Sequence, residues 1–193
     1  SIKPRKVSFL SPAATRRLLT QPAEDFPLDY TPDCLAEIVR LTHGQPYLAQ
    51  LIGQNLVSHF NRQAGEGERD PEQPLALEDL RAVIDSPSFF EDGAAYFNGV
   101  WKQAEDAPAG QQAVLLALAE GPAEGERLAR LTGLPEAEQN AALQTLIDHD
   151  VVSQFGEPPH YCFSVELMRR WVERRRASDQ AQPIGKTNQP KNR

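Results

Sequence analysis

The chain has 193 residues, 40% hydrophobic and 24% charged, enough to bury one core of ordinary size or two small ones. Its formal charge of −7 argues against a protein that coats nucleic acid, because phosphate binding rests on clustered Lys and Arg. Sixteen prolines, twelve glycines and only 7% aromatic residues point to many helix starts and short connections rather than a large sheet.

Cys34 and Cys162 stand far apart, which gives neither a disulfide framework nor a zinc spacing and fits a reducing, cytoplasmic setting. No apolar run approaches bilayer length, so no membrane partner is expected. The chain opens at Ser1 and its one methionine is Met168, so a longer parent polypeptide is expected.

In chain order, helix signals come first. Ser11-Pro12 and Thr31-Pro32 each set a hydroxyl at a cap position and a proline at the first helical position, where the missing N–H costs nothing. Two helices are predicted to start there. The second carries Leu35, Ile38 and Val39 on one stripe and runs to Gly44, a residue suited to a left-handed helix end. Pro46 opens a third helix, in which Leu48, Leu51, Ile52, Leu56 and Phe60 recur at helical spacing. Gly44, Gln45 and Pro46 are therefore read as a tight corner between two packed helices.

Residues 61–74 contain one alanine and no larger apolar residue, and read as a solvated loop without a site. A short helix is predicted around 77–84. Between 87 and 108, Phe89, Phe90, Gly93, Tyr96, Phe97, Val100 and Trp101 fall at steps of three and four. This spacing predicts one connecting helix with its aromatic face in the core.

The last third has a different pattern. Helices are predicted over 111–121, ending at Gly121, over 125–132, stopped by Gly133 and Pro135, and over 136–148. The period then switches to two. Val151 and Val152 lead into Gln154 and Phe155, residues 156–159 make a turn, and Tyr161, Phe163 and Val165 alternate with polar or small residues. Three helices followed by a β-hairpin is the plan of a winged helix-turn-helix domain, placed at 109–176 and closed by a basic helix over 166–176. The polar residues 177–193 are expected to be a disordered tail. The expected fold is mostly α: a helical bundle over 1–86, the aromatic connector over 87–108, and the winged domain with its small β-hairpin.

The stretch LTHGQPYLAQLIGQNLV, preceded by LSPAATRRLL and PLDYTPDCLAEIV and followed by AYFNGVW, resembles the helical lid of bacterial and archaeal STAND-class or AAA+-like ATPases. In those proteins a winged-helix domain follows the lid, so the resemblance covers nearly the whole chain except the tail. It implies a signalling ATPase whose lid senses nucleotide at a Gly-x-Pro corner. That corner maps onto Gly44, Gln45 and Pro46, with Tyr47, Arg40 and His43 beside it. A helix opening at Pro46 would point free N–H groups and a positive dipole end outward.

The resemblance also implies ATP or ADP with magnesium in the full-length protein, an upstream nucleotide-binding domain and other protein domains as partners. The family's phosphate-binding loop, its magnesium-binding acid and their sheet do not appear in this chain, so no tight nucleotide binding to the chain alone is expected. Nor is there an arginine at the start of the helix after Pro46, where many AAA+ lids place one; Arg40 is the nearest.

Other chemistries fail on spacing. Residues 184–187, IGKT, look like the end of a P-loop, but that pattern needs a glycine where Gln180 stands. The four histidines form no His-Glu-x-x-His pair and neither cysteine has a nucleophile signature, so no catalytic or metal-binding residue is assigned. For DNA, the third winged-domain helix offers Gln139, Asn140 and Gln144, but also Glu136, Glu138 and Asp148 and no Lys or Arg. Arg169, Arg170, Arg174, Arg175 and Arg176 follow the wing. Weak DNA binding at most is expected. Three classes of function stay open: the regulatory half of an ATP-driven switch, a DNA-binding transcriptional or mobile-element module, and an interaction domain with no nucleotide link.

Overall fold

The computed structural model describes residues 9–22 and 28–181. Helix α1 (Pro12–Thr20) starts as its sequence dictates, with Ser11 Oγ accepting the Ala14 N–H at 3.1 Å and Pro12 in the first turn. Helix α2 (Pro32–Thr42) also starts on its proline, but Thr31 makes no side-chain cap. Asp33 accepts the Cys34 N–H instead, at 2.9 Å. The buried stripe of α2 is Cys34, Ile38, Leu41 and Thr42, while Leu35 and Val39 are only half-buried. The stripe is turned from the expected one because α2 packs against α3 and α4 and also against the last helix of the chain.

All five apolar residues expected to line α3 (Pro46–Gly65) are buried. The helix continues past Phe60 to Gly65, and the loop after it is not simply solvated. The Arg69 side chain is only 5% exposed; its guanidinium donates to Asp79 at 2.6 Å, to Gln63 at 3.0 Å and to the Pro74 carbonyl at 2.7 Å, and lies over the Phe60 ring. Asp79 in α4 (Leu77–Asp85) also accepts the Ala76 N–H at 2.8 Å, which closes the start of that helix. Burial pushes the Asp79 carboxyl up, but these bonds and the charges of Arg69 and His59 more than offset it, so it sits below the usual carboxylate range. A single arginine thus pins a polar loop whose composition carries no apolar signal.

The aromatic connector is two helices, α5 (Pro87–Asp92) and α6 (Ala94–Gln103), not one. The break falls at Gly93, where a Cβ would come within 2.6 Å of the Phe97 ring and 2.9 Å of the Leu51 side chain. Phe89, Phe90, Phe97 and Trp101 are nonetheless buried as expected, with Tyr96 and Val100 packed beside them.

Helices α7 (Gln111–Leu118), α8 (Gly125–Thr132) and α9 (Glu136–Asp148) follow, with strands β2 (Val152–Phe155) and β3 (His160–Phe163) after them. A two-residue strand, β1 (Ala123–Glu124), precedes α8 and pairs antiparallel with β3, giving a sheet of order β1-β3-β2. A strand that short has no period to read in a sequence. The order helix, strand, two helices, hairpin is that of a winged helix-turn-helix domain.

Helix α10 (Glu166–Ala181) closes the domain and runs five residues beyond Arg176, so residues 177–181 are helical rather than tail. Residues 182–193, including IGKT, lie outside the described residues. Among the described residues no helix is long and apolar enough to cross a membrane.

Candidate functional site

The corner between α2 and α3 is built from two left-handed residues in succession, His43 (φ 49°) and Gly44 (φ 75°). Thr42 organises it. Its hydroxyl donates to the Ile38 carbonyl at 2.8 Å and accepts the Gly44 N–H at 3.3 Å. The segment before α1 covers the turn: the Leu10 N–H donates to the Gly44 carbonyl at 2.7 Å, and a Cβ on Gly44 would collide with the Leu10 carbonyl oxygen. Gly44 is therefore required twice, by its φ and by the close approach of another backbone.

The N–H groups at the start of α3 do not stand free, as a phosphate cradle would need. Gln45 caps its own helix, its side-chain oxygen accepting the Tyr47 N–H at 2.6 Å and the Leu48 N–H at 3.4 Å. An anion would have to displace that amide. Pro46 occupies the first helical position, where it donates nothing. His43 is exposed and meets Phe9 edge to face at 5.4 Å. Tyr47 is 39% exposed and stacks at 6.0 Å on Tyr96.

Arg40 is directed elsewhere. It forms a two-point ion pair with Glu37, both bonds 2.7 Å, and lines a cleft whose other wall includes Glu166 and Arg169 of α10. The Arg40 guanidinium holds the Glu37 carboxyl below its usual range. The structure thus brings Gly44, Gln45, Pro46, Tyr47 and His43 together at the corner and places Arg40 at the junction with the winged domain.

The nucleic-acid candidates also separate. Gln139 is 4% exposed and faces inward, its amide donating to the Gly125 carbonyl at 2.9 Å while its oxygen is buried without a partner. Its role is to tie α9 to α8. Asn140 and Gln144 are on the surface, where Gln144 donates to Asp148 at 2.8 Å. Glu136 and Glu138 of the same helix are exposed as well.

The arginines of α10 are tied to their own chain. Arg169 pairs with Glu166 and Glu173 and donates to the Ala119 carbonyl, and Arg170 pairs with Glu166. Arg174 lies 4.6 Å over the Phe90 ring and Arg175 5.1 Å over Trp101, while Arg176 pairs with Glu120 at 2.9 Å.

Sequence reading missed the seam these residues form. Trp171 stacks on Phe97 at 6.0 Å and packs on Trp101 at 5.9 Å, and the Arg174 and Arg175 guanidiniums lie over Phe90 and Trp101, so four rings and two guanidiniums fasten α10 to the aromatic connector. The clue available was Trp171 in a run of arginines, which reads as an exposed basic helix until its neighbours are known. Among the described residues no group of three or more His, Cys, Asp or Glu is placed to hold a metal ion. Fold and site together define a mostly helical chain with a winged helix-turn-helix domain mounted on a helical bundle. Comparison with protein-family models, with curated proteins and with solved structures finds no match in any of the three.

Proposed function

We propose that this chain is the regulatory lid and winged-helix part of an ATP-dependent molecular switch, which senses nucleotide state at the 43–47 corner and relays it to partner domains. The observation that supports this reading is that one helix serves both places. α2 ends at the corner, and its body packs on α10 of the winged domain. A displacement at the corner has a short, packed route to the winged domain. The residues present do not by themselves make a phosphate site, since Gln45 takes the helix N–H groups and Glu37 takes Arg40. In this reading the phosphates and magnesium belong to an upstream P-loop domain, and the corner lies beside a nucleotide held there.

The test has two stages. The coding sequence ahead of this segment is read for an in-frame P-loop domain, and Pro46→Ala in the complete protein is then expected to change ATP or ADP affinity or their exchange. No P-loop, or unchanged nucleotide handling, overturns the reading. Calorimetry of the present chain with ATP and magnesium is expected to give no micromolar binding.

The DNA reading stands second, favoured by the exposed Asn140 and Gln144 on α9. With Glu136, Glu138 and Asp148 on the same helix, mobility shifts at two salt concentrations should show weak binding lost on adding salt.

A further inference from the structure

Acidic residues outnumber Lys and Arg in this chain, 27 to 20, yet Arg62 near the end of α3 forms no ion pair among the described residues. Its guanidinium donates instead to His59 Nδ1 at 3.0 Å. An arginine can only donate, so Nδ1 is the acceptor and the ring carries its hydrogen on Nε2, which faces Asp79 at 3.4 Å. Arg69 and the Ala76 N–H hold that carboxylate in turn. His59 is therefore fixed from behind, and it offers Arg62 only a neutral acceptor.

Arg62 and His59 line a cavity of about 100 Å³ between α3 and the junction of α4 with α5. Its other polar walls are Asn55, Ser58, Ser86 and Ser88, and none of the residues that line it is acidic. Asn55 gives one side-chain N–H to the Leu51 carbonyl and keeps the second. Ser86 stands at the start of α5 without capping it, and its hydroxyl bonds that of Ser88 at 2.7 Å. Two O–H groups supply that single bond, so one hydrogen of the pair is left to donate. A water takes up about 30 Å³, so the cavity has room for roughly three waters or one tetrahedral oxyanion.

We propose that this cavity binds inorganic phosphate, held by the Arg62 guanidinium, the second Asn55 N–H and the spare hydroxyl of the Ser86 and Ser88 pair. The donors come from α3 and from the turn that follows α4, which suits an anion with oxygens on every side better than a planar carboxylate. The ion gives Arg62 a charged acceptor in place of a neutral one, and a charge-assisted bond is the stronger of the two. Arg62 then leaves His59 Nδ1. No residue of the 43–47 corner takes part, so this site and the nucleotide reading can each fail without the other.

The test is a titration of the chain with inorganic phosphate at constant ionic strength, followed in nitrogen-resolved NMR spectra. The backbone signals of Arg62, Ser86 and Ser88 and the side-chain amide of Asn55 should move together and saturate in the millimolar range. The His59 ring nitrogens should shift with the same midpoint, because Nδ1 loses its donor. Arg62→Gln should weaken binding about tenfold or more, the loss of a hydrogen bond to a charged group. Arg16→Gln, at an exposed position on α1, should leave it unchanged, and acetate in place of phosphate should not saturate the same signals. Shifts that never saturate, a His59 ring that does not respond, equal losses from the two arginine variants, or acetate binding as well as phosphate each overturn the proposal. The measurements on the unaltered chain decide it even where a variant fails to fold.

Discussion

The molecule turns two corners with nearly the same local chemistry. Between α2 and α3 the sequence is Leu41-Thr42-His43-Gly44-Gln45-Pro46, and between α8 and α9 it is Leu131-Thr132-Gly133-Leu134-Pro135. In each, a threonine hydroxyl donates to the carbonyl four residues back at 2.8 Å and accepts the N–H two residues on at 3.3 Å. In each, a left-handed glycine follows and a proline stands at the start of the next helix, Pro46 as the first residue of α3 and Pro135 as the cap residue just before α9.

They differ in what lies above them. Gly44 is buried under the Leu10 backbone, whereas a Cβ on Gly133 would meet nothing within 4 Å. Local sequence suffices to turn the chain; covering the turn makes one glycine irreplaceable and leaves the other a convenience.

Substitution can break that comparison. Gly44→Val should have the largest effect, about 3 kcal/mol or more in denaturant unfolding or outright failure to fold. It forces a β-branched residue into a positive φ and drives its Cβ into a backbone that cannot step aside. Thr42→Val should follow at about 1–3 kcal/mol, because it strands the buried Gly44 N–H. Thr132→Val, in a half-buried corner that water reaches, should cost less. If the two threonine variants prove equal, burial is not what separates the corners.

Gly133→Ala should cost only about 1 kcal/mol, the strain of a left-handed alanine with no collision added; a loss matching that of Gly44→Val would deny the Leu10 backbone its role. The smallest effect belongs to Pro46→Ala, under about 1 kcal/mol and measurable as a small shift in melting temperature. Alanine is acceptable at a helix start and loses mainly the proline's stiffness in the unfolded chain.

Much of the fold was legible because its signals are local. Ser11-Pro12, Thr31-Pro32, the glycines at 44 and 133 and the stripe from Leu48 to Phe60 each act within a few residues, where cap chemistry and helical period decide the outcome. The two-residue β1 and the helical turn beyond Arg176 were not legible. The first is too short for a period, and the second is polar helix at the end of a packed element.

The corner was legible as a turn but not as a site. Gln45 closing its own helix start and Arg40 pairing with Glu37 are side-chain choices among several partners of similar energy.

The sequence by itself determined where α1, α2, α3, α8 and α9 begin, which residues of α3 are buried, and that three helices and a hairpin form a winged domain. Those outcomes follow from backbone sterics, capping and apolar period, which act over one or two turns. Tertiary structure alone decided that Gly44 lies beneath Leu10, that Arg69 is drawn inside a polar loop, and that Gln139 turns inward. It also decided which partners the arginines of α10 take: the aromatic connector for Arg174 and Arg175, and nearby acids for Arg169, Arg170 and Arg176. A charged or amide side chain has many acceptable partners, and only the packing of distant segments leaves one of them within reach.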